Sequence, residues 1–197
     1  MNLSNQIKNF LKENVDIILK IDKKNISNAI ELIEKCKKKH CRLFFAGNGG
    51  GAGHASHATN DFKKICNIES YCLSDNISEL TAQINDDGWI NSYKNMMRTS
   101  NFSKKDILFV FSVGGGDVKK KISLNITNAI KYAKKKGGKI ISVVSERKSY
   151  CSKNSDVCIT IPNLYPERVT PHTESIQALI WHLMVSNSKL KVNKTKW

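Results

Sequence analysis

Four side chains that can bind a metal or transfer a proton lie at regular spacings on two predicted helices. His57 and Asp61 are four residues apart, so they share one face of a helix. Glu174 and His182 are eight residues apart, about two turns along one side of another helix. Two histidines and two carboxylates form a ligand set suited to Zn²⁺ and compatible with other divalent metals. The alternative is that both histidines have structural roles only, with His57 as a capped helix residue and His182 packed in the core.

Two glycine-rich loops each follow a predicted strand and precede a helix. They are residues 47–53, Gly-Asn-Gly-Gly-Gly-Ala-Gly, and residues 112–117, Ser-Val-Gly-Gly-Gly-Asp. Such loops let backbone N–H groups approach an anion at the positive end of a helix, and two of them at neighbouring strand ends line one crevice. Tight strand-to-helix packing without a ligand is the structural alternative. We interpret Asp117 as the N-cap of the following helix.

The first loop also satisfies the loose dinucleotide-binding pattern G-x-G-x-x-A. A dinucleotide site further requires an acidic residue about 20 residues later. The nearest candidate, Asp75, lies 28 residues past Gly47 in a helix-cap context. The sequence therefore favours a phosphate-bearing ligand, and a nicotinamide cofactor remains a weaker alternative.

After residue 42, predicted strands alternate regularly with predicted helices, and these elements must position the candidate ligand residues and the two loops. Five short apolar runs separated by helical segments are typical of parallel strands that are buried on both faces. The runs are residues 43–46, 71–73, 107–111, 140–144 and 157–161. Residues 4–38 instead predict two helices, and the apolar stripe of the first contains Ile7, Phe10, Leu11, Val15, Ile18 and Leu19. The pattern predicts an α/β fold with a doubly wound, five-stranded parallel sheet and an N-terminal helical hairpin.

We expect this pattern to form one domain. Residues 1–40 form the helical hairpin within that domain, residues 41–190 form its α/β body, and residues 191–197 form a basic tail, loosely held from about residue 189. The last helix is predicted to begin with Thr170 as its N-cap and Pro171 at its first position.

Composition limits the classes of function. The net charge of +15 comes mostly from lysines dispersed over helix surfaces, without a nucleic-acid-binding motif, so we expect no nucleic-acid partner. The six cysteines show no C-x-x-C spacing, which indicates buried reduced thiols. The first ten residues lack the apolar region of a signal peptide, and no apolar run approaches the length of a membrane span. These features predict a cytoplasmic protein with no membrane partner.

Taken in order, the motifs resemble those of the SIS family, and of the phosphoheptose isomerases in particular. The matched pieces are Ala46-Gly-Asn-Gly-Gly50, His57 and Asp61, Leu73-Ser-Asp75, Asn85-Asp86, the Ser112 loop, Lys136-Gly-Gly-Lys-Ile-Ile-Ser142, and Glu174 with His182. The resemblance covers nearly the whole chain. It implies a SIS domain over residues 41–190. It also implies an aldose–ketose isomerase that converts sedoheptulose 7-phosphate to D-glycero-D-manno-heptose 7-phosphate through an enediol, for surface polysaccharide synthesis.

The resemblance also implies roles for individual residues. Asp61 moves a proton between C1 and C2, and His182 assists as the acid. The resemblance also implies a divalent metal, with Zn²⁺ as the first candidate, bound by His57, Asp61, Glu174 and His182. Substrate binding is implied for Asn48, Gly49, Gly50, Gly51, Asp86, Ser112, Gly114, Gly115 and Glu174. The family further implies a homotetramer with N-terminal helices between subunits, and no nucleotide cofactor.

The chain departs from the family pattern at several of these positions. Asp61 replaces a glutamate, Glu174 replaces a glutamine, and Gly51 stands where the family has a serine. The second loop has also lost hydroxyl groups, so phosphate must be held by backbone N–H groups, Ser112, or groups such as Ser123 or a lysine. These changes indicate a distinct branch. They leave open a non-catalytic sugar-phosphate-binding or protein-interaction module, and an isomerase of another sugar phosphate.

The proton carrier is a further open point. If all four predicted ligands bind metal, a bound water, a ligand that dissociates or another residue has to move the proton. The spare polar candidates are His54, His172 and Gln177.

Overall fold

One parallel sheet of five strands forms the centre of the protein. The structure is a computed structural model that describes residues 2–145 and 147–194. The strands are β1 Leu43–Gly47, β2 Ser70–Cys72, β3 Ile107–Phe111, β4 Lys139–Val144 and β5 Val157–Thr160. Their order is β2-β1-β3-β4-β5, and every neighbouring pair is parallel. The predicted five-stranded parallel sheet is confirmed.

Helices cover both faces of the sheet. They are α1 Leu3–Leu19, α2 Lys23–Lys37, α3 Gly50–Lys64, α4 Ile77–Asp87, α5 Ser92–Thr99, α6 Leu124–Lys135, α7 Tyr150–Asn154 and α8 Val169–Ser186. Single 3₁₀ turns, Trp89–Asn91 and Pro166–Arg168, precede α5 and α8. α1 and α2 form the predicted N-terminal hairpin. Among the residues that the structure describes, no helix combines the length and apolar character needed to cross a bilayer.

Alternating side chains of the strands build two hydrophobic cores. Along β1, Leu43 and Phe45 join the core under α2, α3 and α8, whereas Phe44 and Ala46 join the core under α5 and α6. Every residue of β1 and β3 is buried. Both faces of these strands therefore need apolar side chains, which explains why they are continuous apolar runs in the sequence.

The order of the strands reverses between β1 and β3. From β1 the chain first moves outward to β2, and then returns to place β3 on the other side of β1. Gly47 at the end of β1 is in register with Phe111 at the end of β3. The two glycine-rich loops consequently start side by side, at the position where open α/β sheets bind ligands.

The apolar stripe of α1 does not face the core of its own chain. Ile7, Leu11, Val15 and Leu19 are between 53% and 74% exposed. The buried residues of this helix are instead Ile17 and the charged Glu13. The helix therefore presents a continuous apolar surface outward, where another surface can cover it.

Glu13 connects α1 to the beginning of α8. Its carboxylate accepts hydrogen bonds from Arg168, including one of 2.8 Å from Nε, and lies 2.7 Å from Nε2 of the buried His172. Nearby, the hydroxyl of Tyr165 donates to Asp16 at 2.9 Å. A buried carboxylate is tolerated here because it is paired and hydrogen-bonded.

The cysteines differ in part from the prediction of six reduced thiols. Cys36 and Cys41 form a disulfide, and their Cα atoms are 5.3 Å apart. The end of α2 and the turn before β1 bring these two residues within disulfide reach, which the sequence spacing did not reveal. Cys66, Cys72, Cys151 and Cys158 are free thiols. Burial raises the pKa of Cys66 and of Cys72 to about 11, so both thiols stay protonated at neutral pH.

Two predicted helix caps are wrong. α8 begins at Val169, before Thr170 and Pro171, because the preceding 3₁₀ turn has already started the helical path. Asp117 accepts a hydrogen bond from the backbone N–H of Lys120 at 3.0 Å, within a tight turn that precedes the helix. α6 begins only at Leu124, so Asp117 does not cap it.

The segment after α8 is held more firmly than expected. Leu190 is fully buried, and the backbone N–H groups of Val192 and Asn193 both donate to the carbonyl of Ile65 at 3.0 Å. These bonds satisfy the C-terminal end of α3. The remainder of the predicted tail, residues 195–197, lies outside the described residues.

The Glu13 contact predicts a pH-dependent stability. The Arg168 hydrogen bond, with support from His172, lowers the pKa of Glu13 against the opposing effect of burial. A lowered folded-state pKa stabilises the protein above the unfolded-state value of about 4.3, and this contribution is lost as pH falls through the folded-state value. We expect Glu13→Gln to lower Tm at neutral pH. The difference from the unmodified protein should shrink in strongly acidic buffer, as measured by calorimetry across pH.

Glu167→Gln provides the matched control, because Glu167 is exposed beside the same contact. This control should change Tm little at any pH. A difference for Glu13→Gln that stays constant with pH would attribute the effect to packing and contradict the charge argument.

Candidate active site

Three of the four predicted metal-ligand side chains meet on one face of the sheet. His57 and Asp61 on α3 and His182 on α8 each offer a ligand atom, and these atoms lie within 4.8 Å of one another. Nε2 of His57 is 3.8 Å from a carboxylate oxygen of Asp61. The two helices contact each other over the same core, and this contact brings together residues that are far apart in sequence.

Local contacts fix the orientation of the His182 ring. Its Nδ1 lies 2.8 Å from the carbonyl oxygen of Ala178. A carbonyl only accepts, so Nδ1 carries a proton and Nε2 is the nitrogen left for a metal or a substrate. The ring also stacks on Trp181 with a centroid distance of 3.5 Å, and Trp181 lies 4.7 Å from the His57 ring. Histidine metal ligands commonly donate their second N–H to a backbone carbonyl in this way.

Asp61 is the least exposed member of this three-residue group. Its side chain is 13% exposed, compared with 59% for His57. One carboxylate oxygen accepts a hydrogen bond of 3.0 Å from the amide of Asn60, and the other faces His57. A carboxylate held in this way can act as a base or as a metal ligand, with solvent access on one side.

Glu174 lies apart from the three-residue group. It is two turns before His182 on α8, about 12 Å along the helix axis. Its carboxylate covers Gly50, where an added Cβ would lie 2.5 Å from the carboxylate atoms. The structure therefore does not bring this predicted fourth ligand to the other three. It places Glu174 at the positive N-terminal end of α3, where a negative charge is stabilised.

His54 lies between Glu174 and the sheet. Burial lowers the pKa of His54, while the Glu174 carboxylate and backbone act in the opposite direction. Its ring is 6.0 Å from that of Phe111. A neutral, half-buried imidazole next to the first glycine loop can exchange hydrogen bonds with a ligand.

The first glycine loop is anchored to its surroundings by two side chains. Asn48 and the fully buried Asn125 exchange two amide hydrogen bonds of 2.8 and 3.1 Å. The hydroxyl of buried Tyr93 donates to the carbonyl of Gly47 at 2.5 Å. Gly49 has a φ of +56°, a conformation that few other residues adopt easily. The loop thus holds the first turn of α3 in a fixed orientation, and the N–H groups of Gly51 and Ala52 donate back to the carbonyls of Asn48 and Gly49 at 3.0 Å.

The second glycine loop uses its own hydroxyl internally. The backbone N–H of Gly115 donates to the Ser112 hydroxyl oxygen at 3.0 Å. Gly115 also has a positive φ of 67°, and an added Cβ would lie 2.2 Å from the hydroxyl oxygen of Ser149. Gly114 forms the exposed tip. A ligand at this loop would contact Gly114 and the free face of the Ser112 hydroxyl.

Asp86 is exposed near the end of α4. The amide of Asn85 donates to it at 2.9 Å. Within the described part of the chain, no hydrogen bond or salt bridge joins the Asp86 side chain to either glycine loop. Its predicted role in substrate binding stays a prediction.

The structure also reveals site residues that the sequence analysis missed. They are Tyr93, Asn125, Ser149 and Trp181. Asn125 is a polar residue at the start of an apolar helix, which was a usable signal, but the other three gave none. Of the spare polar candidates, Gln177 is buried and donates to the carbonyl of Val143 at 3.0 Å, while His172 is paired with Glu13. Neither belongs to the three-residue group.

The donor set fits a divalent metal. Two imidazole nitrogens and a carboxylate are a known catalytic zinc arrangement that leaves a coordination position open. The Ala178 carbonyl supplies the outer contact that fixes one of these ligands. The three side chains are also open to solvent on one side, which gives a metal and a substrate access.

Comparison with known proteins identifies the family. The model of the SIS domain family matches residues 8–145, which is most of the chain. The chain belongs to the SIS domain family. The phosphoheptose isomerase of Buchnera aphidicola is 30% identical over 181 residues, covering 88% of this chain and 86% of that protein. This relationship also assigns the chain to the phosphoheptose isomerases within that family. The prediction that the protein is a sugar-phosphate isomerase is therefore confirmed.

Two further comparisons define the extent of the likeness. The phosphoheptose isomerase structure from Neisseria gonorrhoeae matches with a TM-score of 0.81 and 21% identity, covering 94% of this chain and 97% of that chain. Its likeness confirms the SIS fold. The lincomycin biosynthesis protein LmbN of Streptomyces lincolnensis is 30% identical over 144 residues, covering 70% of this chain and 52% of that protein.

Close packing accounts for one departure from the SIS family pattern. Gly51, which replaces the family serine, lies against the end of β3, and an added Cβ would be 2.7 Å from the carbonyl oxygen of Phe111. Gly53, two residues later on α3, has open space at the same position. A side chain at residue 51 would push α3 away from the sheet.

These two glycines form a matched pair for a stability test. We expect Gly51→Ala to destabilise the protein by about 1–3 kcal/mol through overpacking. Gly53→Ala should instead stabilise the exposed helix by about 0.5–1 kcal/mol. Urea denaturation of both variants measures the two effects. Equal changes in the stability of the two variants would show that α3 can move away from β3 without a cost in free energy, which would contradict the overpacking argument.

Proposed function

We propose that this chain interconverts sedoheptulose 7-phosphate and D-glycero-D-manno-heptose 7-phosphate, as a cytoplasmic enzyme of surface polysaccharide synthesis. The proximity of His57, Asp61 and His182, on the same two helices that meet at the first glycine loop through Gly50 and Glu174, is the observation that carries the proposal. A carboxylate and a histidine at adjacent positions are the groups that an aldose–ketose isomerisation through an enediol requires. The phosphoheptose isomerase relatives support the choice of this substrate.

Asp61 and His182 supply complementary proton transfers in this proposal. Asp61 removes a proton from C1 of the ketose, while the imidazolium of His182 gives its Nε2 proton to the carbonyl oxygen on C2. This step forms the enediol. Asp61 then returns its proton to C2, and neutral His182 takes the hydroxyl proton from the oxygen on C1, which gives the aldose. The Nδ1 contact with Ala178 holds Nε2 toward the substrate throughout.

We also propose that the site holds a divalent metal, with Zn²⁺ as the first choice. His57, Asp61 and His182 would hold it. When bound, such a metal supplies electrophilic polarisation of the substrate carbonyl. Both proton-transfer residues would then also be ligands. Nε2 of His182 would have to leave the metal to transfer a proton, because Nδ1 is bound to the Ala178 carbonyl, whereas Asp61 would use the oxygen that is hydrogen-bonded to Asn60.

The charges around the two loops suggest how the substrate is oriented. The Glu174 carboxylate covers Gly50 and would repel a phosphate, but it can accept hydrogen bonds from sugar hydroxyls. At the second loop, Asp117 turns its carboxylate toward the backbone of Lys120. We therefore propose that the phosphate binds near Gly114 and the following lysine-rich turn, and that the sugar chain extends toward the first loop and Asp61.

A non-catalytic sugar-phosphate-binding module is the second candidate. The hydroxyl of Ser112 is engaged by the Gly115 backbone, so the second loop offers a phosphate fewer hydroxyl groups than the family pattern does. This observation is the one that fits a sensor, although the phosphoheptose isomerase relatives support an enzyme. The three-residue group opposes it, because a sensor does not require a base, an acid and a metal site together.

The exposed stripe of α1 supports the predicted homo-oligomer, for which we propose a tetramer. Leu11 is 61% exposed, and its apolar neighbours one turn away on either side are similarly exposed. On α8, Leu179 and Leu183 are also exposed, next to His182. Association of copies through these surfaces would bury apolar area and bring the candidate active site close to a subunit interface.

Activity measurements test the proposed catalytic roles. The purified protein, supplied with Zn²⁺ and sedoheptulose 7-phosphate, should form the aldose phosphate. We expect Asp61→Asn and His182→Ala each to reduce kcat by at least about 100-fold, as is typical for the loss of an acid–base group. Ser175→Ala, an exposed change on the same helix as His182, should keep full activity. Circular dichroism verifies that each variant is folded.

The outcomes separate the two candidates. Absence of turnover over ketose phosphates of five to eight carbons, with saturable substrate binding, would replace the isomerase by the sensor. Turnover that survives both substitutions would reject the assigned residues while keeping the enzyme.

Light scattering coupled to size-exclusion chromatography tests the oligomer. We expect the unmodified protein to be a tetramer and Leu11→Glu to form a smaller species, because a charge in an apolar interface is costly. Asn5→Glu places a charge on the same helix outside the apolar stripe and should leave the tetramer intact. A monomeric unmodified protein would contradict the proposal.

A further inference from the structure

A cavity lined by lysines opens at the end of the sheet opposite the two glycine loops. It lies at the beginning of β3 and β4 and has a volume of about 390 Å³. Its lining residues are Leu32, Lys35, Cys36, Lys39, Lys104, Lys105, Ile107 and Lys139. The lysines come from four parts of the fold, namely the last turn of α2, the turn that follows it, the turn before β3 and the start of β4. None of them is close in sequence to the three-residue group.

The positive charge of this cavity is largely uncompensated. Within the described residues, no hydrogen bond or salt bridge engages the side-chain ammonium groups of Lys35, Lys39, Lys104 or Lys105. Lys139 is paired with Asp156 at 2.6 Å, and no carboxylate is among the lining residues. The four cations without such a partner repel each other around one cavity, so an anion that binds among them relieves this repulsion.

The acidic groups closest in sequence are already engaged with other cations. Glu34 is bound to Lys38 at 2.7 Å, and Asp106 is bound to Arg42 at 2.8 Å. On α2, the ammonium group of Lys37 donates to the carbonyl of Leu190 at 3.0 Å. Lys35, Lys39, Lys104 and Lys105 therefore differ from these neighbours, and from Lys139, in having no hydrogen bond or salt bridge to the described part of the chain.

We propose that this cavity binds a polyphosphate group. Lysine ammonium groups bind phosphate oxygens as point charges, and five of them exceed the needs of a single phosphate. The cavity volume is in the range of small-molecule sites, and Leu32, Cys36 and Ile107 give it an apolar floor. An exposed rim of lysines binds an anion at low desolvation cost, with an affinity that falls as salt is added.

An adjoining cavity offers room for the rest of a nucleotide. Its volume is about 320 Å³, and it shares Leu32, Lys35 and Lys139 with the first cavity. Asn28, Glu31 and Asp156 also line it, and these side chains can accept hydrogen bonds from sugar hydroxyls or base amines. The lysines would recognise the phosphate groups of either a nucleoside triphosphate or inorganic tripolyphosphate. Only the nucleotide would also occupy the second cavity.

Calorimetric titration of the full chain with ATP, sodium tripolyphosphate and inorganic phosphate tests the proposal. We expect saturable binding of ATP and tripolyphosphate at about 50 mM salt, with weaker binding at higher salt. Lys39→Gln/Lys104→Gln should raise both dissociation constants by about tenfold or more, since two phosphate contacts are lost. Tighter binding of ATP than of tripolyphosphate would support the proposal with a nucleotide as the source. Equal binding would support it with the polyphosphate group alone.

A charge-matched control makes the test specific. Lys23→Gln/Lys153→Gln removes the same charge from exposed positions outside the cavity and should keep the affinity of the unmodified protein. Equal weakening in both double variants would mean diffuse attraction to a basic protein and overturn the proposal. It would also be overturned by an unchanged affinity in Lys39→Gln/Lys104→Gln, by absence of saturable binding, or by inorganic phosphate binding as tightly as tripolyphosphate. None of these outcomes depends on isomerase activity.

Discussion

Backbone-to-backbone contact between the first glycine loop and the sheet determines where α3 begins. An added Cβ on Gly47 would lie 2.2 Å from backbone atoms of Gly51, and one on Gly51 would lie 2.7 Å from the Phe111 carbonyl. Only glycines allow the chain to turn this closely from β1 into a helix. The start of α3 in turn sets the positions of His57 and Asp61, two and three turns further along the helix. The geometry of the candidate active site therefore depends on glycines, whose lack of a side chain permits this contact.

α8 completes the site, and it is held at several points along its length. The Glu13 cluster binds its first turn through His172, Gln177 donates to the carbonyl of Val143, and Trp181 lies buried against α3. Because a helix is stiff over this distance, these contacts together fix the rotation of α8 and therefore the direction of His182. Glu13 contributes to the site from a distance in this way, although it touches none of the three active-site side chains.

The sequence predicted the local features of this structure better than its long-range contacts. Apolar runs identified the five strands, because residues such as Phe109 are buried on both faces of the sheet, and the spacing of His57 and Asp61 correctly placed them on one face. Pairing between distant segments leaves no periodic signal. The burial of Glu13, the amide pair that joins Asn48 to Asn125, and the separation of Glu174 from His182 were therefore not predicted. The disulfide depends on a turn whose geometry the spacing of the two cysteines did not reveal.

Both glycine loops lack hydroxyl groups that the family pattern has, and the physical reason differs between the first loop and the second. At the first loop, Gly51 lets α3 pack directly on the end of β3, so a serine there would weaken the contact on which the site depends. At the second loop, Ser112 and Ser149 surround Gly115 and occupy the space that a further hydroxyl would need. Both changes exchange side-chain hydroxyls for close backbone packing. Under the proposed function, phosphate recognition would then rely on backbone N–H groups and on lysines, which bind phosphate as point charges with little directional preference. In that proposal, the selection of the sugar would fall to Glu174, His54 and the proposed proton-transfer groups.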